Sequence, residues 1–435
     1  MLPKEGRRRV QIEGVSPEID CGRFPIKRTV GEKVHVEVDM FADSHDAIAG
    51  IILYRKEDAP EWIEAPLFPL VNDRWEGAFS VSEIGRYVYT ICGWVDHFLS
   101  WRKGMAKKIE ARQDVAVDLL VGAQLVEQAS QRATGNDRNI LKTWIKILRS
   151  LSTHKKDPFI LEQKVLSEDL VKLMSKYPDR KFATTYNKEL SIVVDREKAR
   201  FSTWYEMFPR SFGEPGKHGT FKDAEAMLPY IAWMGFDVVY LPPIHPIGIS
   251  FRKGKNNTTI AEADDVGVPW GIGSPDGGHK AIHPELGRIE DFEEFVIKAA
   301  VYGIEVALDL AYQCSPDHPY SREHPEWFLR RPDGTIQHAE NPPKKYQDIY
   351  PIHFESEDWS SLWQELKSVV EFWIDKGVKI FRVDNPHTKA FPFWEWMIAE
   401  IKRDYPDVLF LAEAFTRPKI MYRLAKAGFS QSYTY

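Results

Sequence analysis

Three cysteines in 435 residues, Cys21, Cys92 and Cys314, are too few and too scattered to form a disulfide framework or a metal site at ligand spacing, and a reducing, cytoplasmic setting is expected. Charge of one sign is also missing. The 58 Lys and Arg against 64 Asp and Glu leave a formal net charge of −6, which draws the chain to neither nucleic acid nor an anionic membrane. No long hydrophobic run occurs: the longest, near Ala47–Tyr54, falls far short of a bilayer span, and the basic start Met1 to Arg9 leads into no apolar signal segment. Internal repeats and low-complexity tracts are absent as well. What is present is a globular composition, 43% hydrophobic and 28% charged, with room for two to four domains at roughly 100–200 residues each. Aromatic residues reach 13%, including 14 Trp and 17 Tyr, which suits stacking on sugar rings and suits large cores equally well.

Three rhythms divide the chain. From about residue 10 to 110, apolar residues alternate in period two, as in Val34-His35-Val36-Glu37-Val38 and Arg86-Tyr87-Val88-Tyr89, which predicts an antiparallel β-sandwich over 1–112. Over 113–195 the spacing turns helical, through Leu120, Ala123, Leu125, Val126, then Leu141, Trp144, Ile145, Leu148, then Leu170, Val171, Met174. Three helices in a bundle are expected, broken at Thr134-Gly135-Asn136-Asp137 and Lys156-Asp157-Pro158. From 196 to 435, strand-like runs alternate with amphipathic helices. Strands are predicted at Thr203–Phe208, Asp237–Leu241, Val306–Leu310, Lys379–Val383, Leu409–Ala412 and Ser432–Tyr435, and helices at Phe221–Trp233, Ile289–Ala300, Trp359–Ile374, Pro392–Lys402 and Lys419–Lys426. Repeated β then α implies a parallel sheet, read here as a (β/α)8 TIM barrel of which five or six strands are present. After the third strand an excursion of about 45 residues, 315–358, is dense in Pro, charge and aromatic rings; connections of that length are usually functional or a small subdomain, and it is read as an insertion subdomain.

Two phrases carry the chemistry. Phe381-Arg382-Val383-Asp384-Asn385 is followed, one β/α repeat later, by Leu409-Phe410-Leu411-Ala412-Glu413. Each is an apolar run ending on a carboxylate, and neighbouring parallel strands deliver their last residues to the same rim of a barrel. Asp384 and Glu413 are therefore expected in one cleft, the equipment of glycosidic-bond chemistry. Arg382, two residues before Asp384, should point to the same side of the strand, where its charge keeps Asp384 ionised. The glycine-rich run Trp270 to Gly278 neither follows a strand nor opens a helix, and reads as a loop over the active face rather than a nucleotide cradle. His279 and His283 with Asp276 sit on a proline-broken loop without ligand spacing and read as structural.

These strand-end phrases resemble the signature regions of the α-amylase superfamily, glycoside hydrolase family 13, with Asp309 closing Val306-Ala307-Leu308-Asp309-Leu310 as a further one. In detail the chain is similar, along essentially its whole length, to the branch of maltosyltransferases that take maltose 1-phosphate. Trp204 to Ser211, Arg252 to Asn257, Gln313 to Pro319 and Asn341 to Tyr346 are the most specific marks. The superfamily usually has a histidine five residues after Asp309; Cys314 stands there instead, as in that branch, and reads as a buried structural thiol.

The resemblance implies that Asp384 is the nucleophile and Glu413 the general acid and base, with carboxyl groups roughly 5–5.5 Å apart for retention. It further assigns Lys253, Gln313 and Asp309 to the sugar, and Asn341, Lys344, Tyr346 and Asn385 to a donor phosphate. On the residues alone, a solvated Lys344-Lys345 turn is the plainer account. Implied partners are α-maltose 1-phosphate, an α-1,4-glucan acceptor and a second copy of the chain as a homodimer; no cofactor is implied. The superfamily's third catalytic carboxylate is expected after Tyr435, so the chain reads as an N-terminal fragment that is inactive alone. Two rivals are a hydrolase or transglycosidase using unphosphorylated donors, and a non-catalytic glucan-binding module.

Overall fold

The computed structural model describes residues 5–153 and 157–434, so Met1–Lys4 of the basic start, Lys156 of the expected break and Tyr435 of the expected last strand lie outside the described residues. The chain divides into two compact units, Met1–Val194 and Asp195–Tyr435.

In the first unit two antiparallel sheets share one core. One orders strands Val10–Ser16, Lys33–Ala42, Arg74–Ser80 and Phe68–Pro69; the other orders Ile26–Thr29, Leu190–Asp195, Gly85–Val95, Ile48–Lys56 and Ile63–Pro66, with Thr184–Thr185 beside Gly85–Val95. Val34, Val36, Val38 and Met40 point inward while His35 and Glu37 stay exposed, so period-two patterning selects the buried face. Among the described residues five helices follow: His97–Glu110, Ala116–Arg132, Gly135–Ser152, Pro158–Val165 and Glu168–Ser175. They enclose a second core around Trp101, Leu119, Val126, Leu141, Leu148 and Leu170.

Capping chemistry explains where this departs from the expected three helices. Asp96 accepts the Leu99 amide at 2.8 Å and opens a helix inside the range read as sheet. Asp157, read as part of a break, accepts the Phe159 amide at 2.9 Å and opens another. The range read as helical also ends in strand, because Leu190, Ile192 and Val194 alternate inward and pair with Gly85–Val95.

The second unit holds six parallel strands in sequence order: Trp204–Glu206, Val238–Leu241, Glu305–Leu310, Ile380–Val383, Leu409–Glu413 and Gln431–Tyr433. All six predicted strands are found, their described ends within two residues of the predicted ones. Both sheet faces are covered. Val239, Leu241, Val306, Leu308, Phe381, Val383 and Phe410 pack with the helices, while Val238, Tyr240, Ala307, Ile380 and Leu409 form a separate inner cluster. That two-sided burial makes each strand read as a continuous apolar run, and the arrangement is that of an incomplete β/α barrel. Helices Ile289–Val301, Trp359–Asp375, Phe391–Asp404 and Pro418–Ala427 link the strands as expected. The predicted helix Phe221–Trp233 is instead two short ones, Phe221–Glu225 and Leu228–Trp233, since Pro229 has no amide hydrogen to continue the ladder and sits in the first turn of the second. The excursion 315–358 carries the hairpin Ala339–Asn341 with Lys344–Tyr346, and Tyr350–Pro351 pairs back onto Gln313–Cys314.

Candidate active site

Strand register brings the charged residues together. Asp309 and Arg382 are direct partners across neighbouring strands, Arg382 is paired with Leu411 on the next, and Glu413 is paired with Tyr433 on the last. Side chains two apart share a face, so Arg382 and Asp384 emerge on the side that Asp309 and Glu413 occupy. One guanidinium holds all three acids. Arg382 Nη1 donates to Asp309 Oδ2 at 2.7 Å and to Asp384 Oδ1 at 2.9 Å, Nη2 pairs with Glu413 Oε1 at 2.7 Å, and Nε donates to the Tyr433 hydroxyl at 2.9 Å. Asp309, Arg382, Asp384 and Glu413 are each 7% exposed or less, so these bonds act with little screening.

Electrostatics separates the acids. Burial pushes Glu413 above the ordinary carboxyl range; Arg382 opposes this, while the charge of Asp384 and a hydrogen bond with it add to it. Burial pushes Asp309 up to about 8, against the pull of Arg382. The Tyr240 hydroxyl donates to Asp309 Oδ2, whereas Asp309 Oδ1 is buried without a hydrogen-bond partner. Arg382 is held above its ordinary value by Asp309, Tyr240 and Asp384, which outweigh its burial. A carboxyl raised by burial, on a cation it shares with other acids, is an environment that suits general acid catalysis.

Behind the nucleophile candidate, Asn385 adopts the left-handed conformation (φ 43°, ψ 54°) and opens the short 3-10 turn Pro386–Thr388. This bend brings the Asn385 amide to 3.4 Å from Glu413 Oε2 and its Nδ2 to 3.4 Å from Asp384 Oδ2.

Asp384 and Asn385 line a cleft of about 710 Å3 together with Gln313, Asn341 and Tyr346. Gln313 is fixed by donating to the Trp270 carbonyl at 3.2 Å. Five other sequence-predicted residues are not among the lining: Asp309, Arg382 and Glu413 of the buried cluster, and two that lie apart from it. Lys253 is buried and donates to Gln347 Oε1 at 2.8 Å, and Lys344 is exposed on the hairpin, in register with Asn341. Tyr240, Tyr433 and Lys389 were not found from the sequence. Tyr240 could have been, since period two along Val238–Leu241 places it on the inner face beside Asp309; Lys389 offers no such signal.

The buried thiol of Cys314 lies near His279 and His318, the three forming a possible ligand cluster. Every ring nitrogen there is already used. The Tyr320 amide donates to His318 Nδ1, His318 Nε2 meets His279 Nδ1 at 3.0 Å, and His279 Nε2 meets the Ala311 carbonyl at 2.9 Å. Since Ala311 can only accept, His279 carries its hydrogen on Nε2 and His318 donates to it. The glycine-rich loop packs on the same histidine: a Cβ on Gly278 would meet His318 Nε2 at 2.2 Å, and Gly273, at φ +108°, would meet its ring at 2.4 Å.

Residues 8–196 match the family described as α-1,4-glucan:maltose-1-phosphate maltosyltransferase, domain N/S. Proteins named α-1,4-glucan:maltose-1-phosphate maltosyltransferase are 56% identical in Chlorobaculum tepidum over 100% of this chain and 64% of their own length. The one in Methylacidiphilum infernorum is 55% identical, again over 100% and 64%, and one in Cereibacter sphaeroides is 50% identical over 98% of this chain and 71% of its own. The chain thus spans about 64% of the length of the first of these relatives. Among solved structures, an α-amylase from Lactobacillus plantarum aligns over 53% of this chain and 49% of its own, with 28% identity and a TM-score of 0.43. By its identity to these relatives, this chain belongs to the α-1,4-glucan:maltose-1-phosphate maltosyltransferase family.

Proposed function

We propose that the protein moves a maltosyl unit from α-maltose 1-phosphate to the non-reducing end of an α-1,4-glucan with retention, releasing phosphate. The observation that carries this is one buried arginine gathering Asp309, Asp384 and Glu413 at the ends of adjacent parallel strands, in a chain of this family. In the first step an Asp384 carboxylate oxygen attacks the anomeric carbon. The bond from that carbon to the phosphate oxygen breaks, its electron pair stays on the phosphate, and Glu413 supplies the proton. In the second, an acceptor hydroxyl attacks the same carbon, Glu413 takes its proton, and Asp384 leaves as carboxylate.

Arg382 positions Asp384 through the 2.9 Å bond from Nη1, and the unpartnered Asp309 Oδ1 is free to hydrogen-bond a sugar hydroxyl. Gln313 and Lys253 serve the sugar; Asn341, Lys344, Tyr346 and Asn385 serve the phosphate. The six-stranded parallel sheet is read as part of a (β/α)8 barrel, after an N-terminal sandwich with its helical bundle and with 315–358 as an insertion. The protein is placed in the cytoplasm as a homodimer, to which the exposed apolar stripe Val117, Leu120 and Val121 on one helix offers a contact; sedimentation of a monomer would remove that point. No described helix is long and apolar enough to cross a membrane.

The deciding experiment gives the protein, at its full natural length, maltose 1-phosphate and glycogen. Inorganic phosphate and longer α-glucan chains are expected in equal amounts. Reducing ends without phosphate release would instead establish a hydrolase or transglycosidase.

A further inference from the structure

We propose that Lys389 is the cation that receives the phosphate of the activated donor, while its other N–H groups brace the turn behind Asp384. This rests on the phosphorylated-donor reading above and adds a residue to it. Lys389 closes the 3-10 turn that begins at Asn385, with its backbone amide on the Pro386 carbonyl at 3.2 Å. Its Nζ donates to the Asp384 carbonyl at 3.2 Å and to the Asn385 carbonyl at 3.3 Å. An ammonium has three N–H donors, so one remains for a ligand.

Several observations make that donor the cleft's anion contact. Among the described residues that line the cleft, Lys389 is the sole lysine or arginine, set against the acids Glu340, Asp348 and Asp384. No described carboxylate comes within ion-pair distance of it. Burial lowers its pKa, and only the more distant charges of Asp384, Asp309 and Glu413 oppose this, so the ammonium is desolvated with carbonyl partners but no adjacent counter-ion. Of the other cations, Arg382 is committed to its three acids and Tyr433 and Lys253 to Gln347, while Lys344 is exposed on the hairpin outside the cleft lining. Asn341, Asn385 and Tyr346 line the same cleft and add neutral donors, which together with one point charge make a phosphate site.

The grip on two backbone carbonyls gives the residue a second effect. Those carbonyls belong to Asp384 and to left-handed Asn385, so an anion drawing on the ammonium is linked directly to the turn that sets both side chains. Lys389 is therefore a positioning residue for Asp384 as well as a contact for the leaving group.

The test uses the protein at its full natural length with Lys389→Met and Lys389→Arg. Two donors are compared, maltose 1-phosphate and α-maltosyl fluoride, and inorganic phosphate is used as inhibitor against the fluoride. Loss of a charged hydrogen bond predicts that kcat/KM for the phosphorylated donor falls about 10- to 100-fold further than for the fluoride in Lys389→Met, and that the inhibition constant of phosphate rises by a like factor. Lys389→Arg should recover most of both. Equal losses with the two donors would make Lys389 a structural brace only, and no loss with either would make it a bystander; each overturns the proposal while leaving the donor reading intact. A wild-type enzyme that neither uses the phosphorylated donor nor binds phosphate would overturn both.

Discussion

Replacing Arg382 with lysine separates charge from direction at the centre of the site. The wild-type guanidinium serves four partners from three nitrogens: Asp309 and Asp384 from Nη1, Glu413 from Nη2 and the Tyr433 hydroxyl from Nε, all between 2.7 and 2.9 Å. A lysine ammonium placed near the Nη1 position keeps the two aspartates and abandons Glu413 and Tyr433, because a single nitrogen cannot span the fork. A charge-assisted hydrogen bond contributes about 1.5–3 kcal/mol. At about 1.36 kcal/mol per pH unit, losing it lifts Glu413 by about 1–2 units above a value that burial has already raised.

Glu413 must hold its proton to serve as acid, so the alkaline limb of kcat/KM should move to higher pH by that amount. Stability follows with a defined sign. A carboxyl whose folded pKa is raised binds its proton more tightly in the folded state, so its contribution falls as pH rises from the ordinary carboxyl pKa towards the folded one. The deficit of Arg382→Lys relative to wild type should therefore be larger at alkaline than at acid pH. The assay is phosphate release across the alkaline range, paired with thermal unfolding at both ends. An alkaline limb that stays in place or moves down would refute the assignment of Glu413 to Nη2.

Glu413→Gln keeps the size of the side chain and removes its proton, and turnover of the phosphorylated donor should drop about 10²- to 10⁴-fold in a steady-state assay; wild-type rates would exclude it as the acid. Burial holds His245, His279 and His318 down to about 3, 4 and 2. Because the unfolded chain takes up those protons first, at its ordinary value of about 6.5, stability is full above that pH and lost below it, by about 2 kcal/mol per imidazole at about pH 5. A melting temperature that does not fall between about pH 7 and 5 would show that these rings are not held neutral. In the helical part of the first unit, a Cβ on Gly122 would lie 2.1 Å from the Trp101 ring. Gly122→Ala should cost about 1–3 kcal/mol through overpacking, and an unchanged unfolding midpoint would contradict that packing.

The strands and acids were legible for a physical reason. A strand covered on both faces is written as a short apolar run, and a charged residue ending such a run stands out because its burial is costly without a partner. Asp384 and Glu413 had that form, Asp309 and Arg382 interrupt such runs, and one arginine within reach of three acids is what makes their burial tolerable. Capping was harder to read. Asp96 and Asp157 open helices through single side-chain contacts with amides two or three residues on, and the same residues are common in turns, so the local sequence left both outcomes open.

Least legible is everything that depends on register between strands or on backbone acceptors. Tyr433 reaches Arg382 from a strand far away in sequence, through a tyrosine that looks like an ordinary core aromatic, whereas the period-two pattern of Val238–Leu241 does put Tyr240 on the face of Asp309. Lys389 leaves no trace at all, since its acceptors are the carbonyls of Asp384 and Asn385, which every residue possesses. What distinguishes it is geometry: a left-handed Asn385 followed by a tight turn folds the chain back so that an ammonium four or five residues later reaches those carbonyls. An asparagine directly after Asp384 is thus compatible with two different demands, an amide beside the carboxylate and a backbone bend that few other residues adopt readily, and the second is what brings a cation to the cleft.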